Sequence, residues 1–489
     1  MGLESGDFGA KKTILNMLRL LHDSGAVVDG TRTVRKLDEL HAHYKVKQAN
    51  VAIVVDGNVM VRSAPKLSYK DFCHFIRRQV LDYFSVAKHV IVVFDEPENV
   101  SIAKREEQAQ RDAQRKKREI VTSEDILSLP KNDAYNECDI SNCRNIHEIV
   151  ENRSTRARLM DMVFDAVMTK ERSARARWVG SSLSSSSYQQ GETTLTFDGL
   201  DPRGDARRHD AIRLPGIQST SLKIETILRR DKAVGEGDLK LVVVEQAIER
   251  STREEGSPFA NTKIVLHSTI DTDSLLINLI SEAERVSRGE TNNLTSLLCL
   301  REPGRKRRHD DDEFVPCHYQ IVDMSRLYSA VMLLCFGEDT HSVRELGREA
   351  VALVTMAVVC AGCDFIGKNQ IKGVRANELM CSVASVIKEN PCVLPRMRGA
   401  WSGSVSDSIK MCKVLKCVLD KNGRDLGVGQ HNVPVVLSSE NYNGSVSAVR
   451  KKYALDVQNA REEGLLRAAW VVSYWHGFEF DEVVRFGFC

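Results

Sequence analysis

Residues 51–58 read VAIVVDGN: five apolar residues, four of them β-branched, then Asp56 and Gly57. Branching at Cβ favours the extended chain, and Asp-Gly ends it, so the stretch predicts a short strand that stops at a turn. VIVVFDEPE at 90–98 repeats the pattern, again ended by an acid. Two such strands separated by an amphipathic helix over 70–85 open an α/β arrangement.

Outward from this pair, KTILNMLRLLH at 12–22 has helical spacing, and 101–119 is a charged helix with no apolar face. Periodicity weakens from about 120 to 220, where Ser181–Ser187 includes six serines in SSLSSSS and arginine recurs. Residues 179–215 read as a mobile insertion or linker. Order returns with a strand at LKIETIL (222–228), a helix at LKLVVVEQAIER (239–250), and a strand running through DTD into a helix over 263–279. Residues 300–314 read as a charged loop, 320–336 and 342–363 as helices, and the C-terminal region as mostly helical. The expectation is an α/β fold with a mainly parallel central sheet and flanking helices. Residues 1–120 and 216–375 form its core, 121–215 a Ser-rich, partly disordered insertion, and 376–489 a helical C-terminal region.

Composition bounds the class. The 489 residues are 42% apolar and suffice for a sizeable core, while a net charge of +2 implies no partner by itself. Thirteen cysteines, an odd number spread over a long chain, do not read as a disulfide framework. The first residues, MGLESGDFGAKK, carry acids where a signal peptide needs bases and an apolar run. The longest apolar run, Ala350 to Cys363, is shorter than the roughly 20 residues that span a bilayer. A soluble protein of nucleus or cytoplasm, with no membrane partner, is expected.

The acids carry the chemistry. Asp56, Asp95, Asp271 and Asp273 fall at or just past the C-terminal ends of predicted strands, where α/β sheets bind ligands. Glu236 and Asp238 follow another strand through a short turn, and Asp364 ends an apolar helix. Seven carboxylates at one edge coexist only if cations neutralise them. Oxygen-only ligands favour Mg²⁺ or Mn²⁺, and two ions about 3.5–4 Å apart stabilise both the attacking and leaving oxygens of a phosphodiester. Taken singly, an Asp after a strand is more often a turn former or helix cap.

These residues resemble the flap-endonuclease/XPG superfamily of 5′ nucleases, with the related 5′→3′ exoribonucleases. The similarity rests on VAIVVDGN at 51–58, VVFDEPE with AKREEQAQR at 92–111, VGEGDLK at 234–240, IDTDSLLINL at 270–279 and AGCDFIGKNQIKGV at 361–374. The resemblance implies a two-metal nuclease. Asp56, Asp95, Glu236 and Asp238 would chiefly hold one ion, and Asp271, Asp273 and Asp364 the other. It also implies a basic arch helix after Asp95, in which Lys104 and Arg105 contact the scissile phosphate and Arg111, Arg115, Lys116, Lys117 and Arg118 steer the strand. The interleaved Glu106, Glu107, Asp112 and Glu119 leave a solvated, salt-bridged helix as the alternative. The segment after Asp364 is similar to the family's helix–two-turn–helix, which implies nucleic-acid contact at Lys368, Lys372 and Gly373.

The favoured substrate is DNA with a 5′ flap or 5′ end. GEGDLK looks more like the exoribonuclease motif, so RNA is the runner-up, and a non-catalytic nucleic-acid-binding scaffold is the rival from another class. GRKRRH (304–309) reads as a localisation patch, a nucleic-acid contact or an exposed self-neutralised loop. Cys360 and Cys363 read as core packing, and Cys138, Cys143 and His147 lack a fourth ligand for zinc.

Overall fold

A strand with no polar alternation has no face to give to water, and the central strands here are buried along their whole length. The computed structural model describes residues 31–34, 36–62, 82–93, 194–198, 237–257, 259–269, 271, 273–289, 294–301, 319–360 and 376–394, with single positions at 75, 79, 411, 414, 415, 468, 471, 472 and 475. Among the described residues seven strands form one sheet: β1 (Thr31–Val34), β2 (Val51–Asp56), β3 (His89–Val93), β4 (Thr194–Asp198), β5 (Ile264–Thr269), β6 (Thr295–Arg301) and β7 (Tyr319–Asp323). Their order is β1-β7-β6-β5-β2-β3-β4. The five strands from β6 to β4 are mutually parallel, whereas β7 runs antiparallel to both β6 and β1.

The helices are α1 (Glu39–Tyr44), α2 (Gly57–Arg62), α3 (Gly237–Thr252), α4 (Asp273–Ser287), α5 (Met324–Phe336), α6 (Thr340–Cys360) and α7 (Ala376–Glu389). Every residue of β2, β3 and β5 is buried, as parallel strands between two helical layers must be. Alternation sorts their side chains. Ala52, Val54, Ile91, Val93 and Val265 join one apolar cluster with α3 to α7. Val51, Ile53, Val55 and Leu266 are equally buried and occupy the opposite face, where Tyr83 Oη meets Ser268 Oγ at 2.9 Å. His41 Nε2 lies 2.7 Å from the Val86 carbonyl, tying α1 to the helical residues 82–86. Each fully buried aliphatic side chain contributes roughly 1.5–3 kcal/mol.

Helix α6 is the hub of the helical layer, buried without a break from Leu346 to Cys360. Gly347 lets α5 approach it: a Cβ there would collide with Tyr328 Oη and lie 3.0 Å from Met332 Sδ. No helix among the described residues is long and apolar enough to cross a membrane.

The α/β architecture agrees with the sequence, and several boundaries do not. The chain enters α2 directly after Asp56 instead of turning, because Asp56 itself caps that helix. TLTFD at 194–198, inside the expected linker, pairs with β3 as the outermost parallel strand. Residues 320–323 belong to β7, and only from Met324 does a helix begin, with Asp323 Oδ1 accepting from the Ser325 and Arg326 amides at 3.1 and 3.2 Å. Strand β6 takes in Leu300 and Arg301, which the sequence reading gave to a loop. The expected elements at 12–22, 101–119 and 222–228 lie outside the described residues.

Candidate functional site

The chain lays down β2, β3 and β4 in one direction, then returns to place β5 on the other side of β2 and continues to β6. Strand order therefore reverses between β2 and β5. In open α/β sheets, the crevice beyond the carboxyl ends of such a pair is where ligands bind. Val55 pairs with Ser268, so β2 and β5 end side by side.

Asp56 is the last residue of β2 and is buried. Its Oδ1 accepts from the amides of Asn58 at 2.9 Å and Val59 at 3.3 Å. A buried carboxylate requires such donors, and at the start of α2 the orphan amides supply them. Just past β5, Thr269 Oγ1 accepts from the Asp271 amide at 3.0 Å, and Asp271 Oδ1 accepts from the Asp273 amide at 3.2 Å. These two bonds tie Asp271 to the end of β5 and to the first residue of α4. Asp273 is the first residue of α4 and Asp238 lies in the first turn of α3, where exposed amides favour negative charge. Ser274 Oγ donates to Asp238 Oδ1, tying the two helix starts together.

The structure thus brings Asp56, Asp238, Asp271 and Asp273 to one edge of the sheet. Asp95, Glu236 and Asp364 lie outside the described residues, as do Lys104, Arg105, Arg111, Arg115, Lys116, Lys117, Arg118, Lys368, Lys372 and Gly373. Cys138, Cys143, His147 and Cys363 lie outside them too, whereas Cys360 is buried in α6 and burial pushes its thiol up to about 12. Among the described residues, no group of three or more His, Cys, Asp or Glu could by itself hold a metal ion. The donors present are carboxylates, the chemistry a hard divalent ion prefers, but the described four do not close a site on their own.

Two features escaped the sequence reading. Strand β4 also ends on an acid, Asp198, which registers opposite Val93 at the end of β3. Behind the edge lies a buried polar network. His267 Nδ1 is 2.5 Å from Asn278 Oδ1, its Nε2 is 3.2 Å from Glu245 Oε2, and Ser296 Oγ donates to that same oxygen at 3.2 Å. Burial pushes Glu245 from 4.5 up to about 8, opposed by the Arg285 cation, and pushes His267 from 6.5 down to about 4. The signal in the sequence was a titratable residue directly after each of two apolar runs, Glu245 after VVV and His267 after IVL. Below them Arg285 forks onto Glu282, and Arg348 contacts Glu349 at 3.1 Å and Glu284 at 3.8 Å.

Compared with known proteins, the chain matches no protein-family model and no curated sequence.

Proposed function

We propose that this chain is a divalent-cation-dependent nuclease of the flap-endonuclease/XPG type that hydrolyses phosphodiester bonds near a free 5′ end or flap. The observation that carries the reading is the arrival of Asp56, Asp271 and Asp273 at the carboxyl ends of the two strands between which strand order reverses. Asp238, bonded to Ser274, supports it from the neighbouring helix. Asp56, Asp238, Asp271 and Asp273, completed by Asp95, Glu236 and Asp364, would hold two Mg²⁺ or Mn²⁺ ions. When bound, such ions supply an acidified water and neutralise charge on the attacking and leaving oxygens.

The chain's own groups do the rest. Asp56 and Asp271 are each held through Oδ1 by backbone amides, so their carboxylates keep a fixed orientation toward the edge. Lys104 and Arg105 would take charge developing on the scissile phosphate. Arg111, Arg115, Lys116, Lys117 and Arg118, with Lys368, Lys372 and Gly373, would bind the sugar-phosphate backbone, a contact that weakens with salt. DNA is the first substrate. A second reading, an RNA-cleaving enzyme of the same superfamily, is favoured by VGEGDLK at 234–240.

Purified protein incubated with Mg²⁺ and either a 5′-flap DNA or a single-stranded RNA tests both. Cleavage is expected only with the divalent ion, with the flap cut faster. Asp271→Asn, which keeps the acceptor for the Asp273 amide, is expected to lower the rate at least about a hundredfold, some 2.7 kcal/mol of barrier. Undiminished cleavage by this variant, or no cleavage of either substrate by the wild type, overturns the reading. Faster RNA cutting replaces the first substrate by the second.

A further inference from the structure

We propose that Ser274 is a positioning residue for Asp238, and that Asn278, His267 and Glu245 form a buried chain behind it that fixes helix α3 against α4 and β5. The inference rests on the nuclease reading only for what Asp238 is positioned to do. Ser274 is wholly buried, and its single hydroxyl proton goes to Asp238 Oδ1. That bond restricts rotation of the carboxylate and so sets the direction its other oxygen takes.

Donor and acceptor accounting runs the chain inward from Ser274 to His267. Asn278 Nδ2 donates to the Ser274 carbonyl at 2.7 Å. Its Oδ1 must then accept, and the partner is His267 Nδ1 at 2.5 Å. His267 Nε2 lies 3.2 Å from Glu245 Oε2 at the inner end of the chain. Ser296 Oγ closes the chain on the same oxygen at 3.2 Å. Asp238, Ser274, Asn278 and His267 Nδ1 are each bonded to the next, and removing one leaves another exposed to the cost of burial.

The chain returns to the helix where it began. Asp238 and Glu245 both lie on α3, seven residues apart, hence two turns apart on one face. One is bonded to α4 and the other accepts from Ser296 on β6. An apolar contact tolerates sliding, whereas two directional contacts on one face do not. The pair therefore sets the register of α3, and with it the height of Asp238 at the sheet edge.

The test is Mn²⁺ binding to the full-length protein, measured by the loss of free-ion electron spin resonance, alongside cleavage and thermal melting. Ser274→Ala removes the donor, and Ser274→Cys keeps the size with a weak one. Expected is Mn²⁺ affinity about ten- to a hundredfold weaker in Ser274→Ala, as for second-layer residues around metals, with Ser274→Cys between it and the wild type and melting little changed. A fall in melting temperature alone, with Mn²⁺ affinity intact, overturns the positioning role. Wild-type protein that binds Mn²⁺ and cleaves, beside a Ser274→Ala variant that does both equally, overturns the inference and leaves the nuclease reading standing. Wild-type protein that neither binds Mn²⁺ nor cleaves overturns both. Should Ser274→Ala not fold, Ser274→Cys decides: unchanged affinity in it overturns the proposal.

Discussion

Replacing Glu245 by glutamine tests the charge state of the buried network directly. The carboxyl group is faced by His267 from β5, Ser296 from β6, Arg285 and Glu282 from α4, and Glu249 from its own helix. Burial holds Glu245 protonated up to about pH 8 and His267 neutral down to about pH 4. In the unfolded chain the two revert to their ordinary values of 4.5 and 6.5. Between pH 4.5 and 6.5 folded and unfolded chains then hold one proton each on this pair, on different residues, and stability does not change with pH. Above 6.5 the unfolded pair holds none while the folded pair still holds one. Stability therefore falls as pH rises, by about 1.4 kcal/mol per unit and about 2 kcal/mol by pH 8. Glutamine has no proton to lose and fills the same volume. Urea unfolding followed through tryptophan fluorescence reads the same core, since Trp475 packs in it. Between pH 6.5 and 8, Glu245→Gln should gain about 2 kcal/mol relative to wild type. Parallel curves would mean that Glu245 is ionised throughout and that burial does not hold its proton.

Two further substitutions probe the helical layer. Arg348→Met withdraws the cation between Glu284 and Glu349, both shielded from water; it should cost about 3–5 kcal/mol. Burial already pushes Glu284 up, so the loss in melting temperature should be larger at pH 8 than at pH 5.5, and a pH-independent loss would refute the electrostatic cause. Gly347→Ala places a methyl against Tyr328 and Met332; forcing α5 from α6 should cost about 1–3 kcal/mol, and a melting temperature equal to wild type would show that these helices separate freely.

How far the sequence could be read depends on what each residue bonds to. Asp56, Asp271 and Asp273 were legible because each follows a β-branched strand closely and the bonds of Asp56 and Asp271 lie within three residues. Helix α3 was legible from LKLVVVEQAIER for the same local reason. Strand β4 was not: TLTFD is short, follows a serine-rich stretch, and earns its place by pairing with β3 a hundred residues earlier. Strand β7 vanished into a helix because YQIVD and MSRLYSAVMLLCF form one apolar stretch, and the boundary is only the capping of α5 by Asp323. Glu245 and His267 looked like interruptions of apolar runs, since periodicity counts residues and does not show that two distant ones meet.

The bond from Ser274 separates a capping role from a functional one at Asp238. Asp56 and Asp271 are bonded by amides two or three residues along the chain, as any capping acid is. Such bonds would serve a protein with no chemistry at this edge. Ser274 lies 36 residues from Asp238 on another helix, so this bond is not one that starts either helix. A buried polar chain is also a costly way to join α3 to α4, because apolar side chains of similar volume do it at least as well. What the polar chain adds is direction: it fixes the carboxylate's rotation and its height beside Asp271 and Asp273. That directional control matters at an edge where oxygens from several strands must meet one ligand, and it is wasted on an edge that only packs. Substitution of Asp238 by asparagine separates the two roles, since the amide oxygen still accepts from Ser274 while the charge is gone. A variant that melts as the wild type does but loses Mn²⁺ ties the charge, and not the contact, to function.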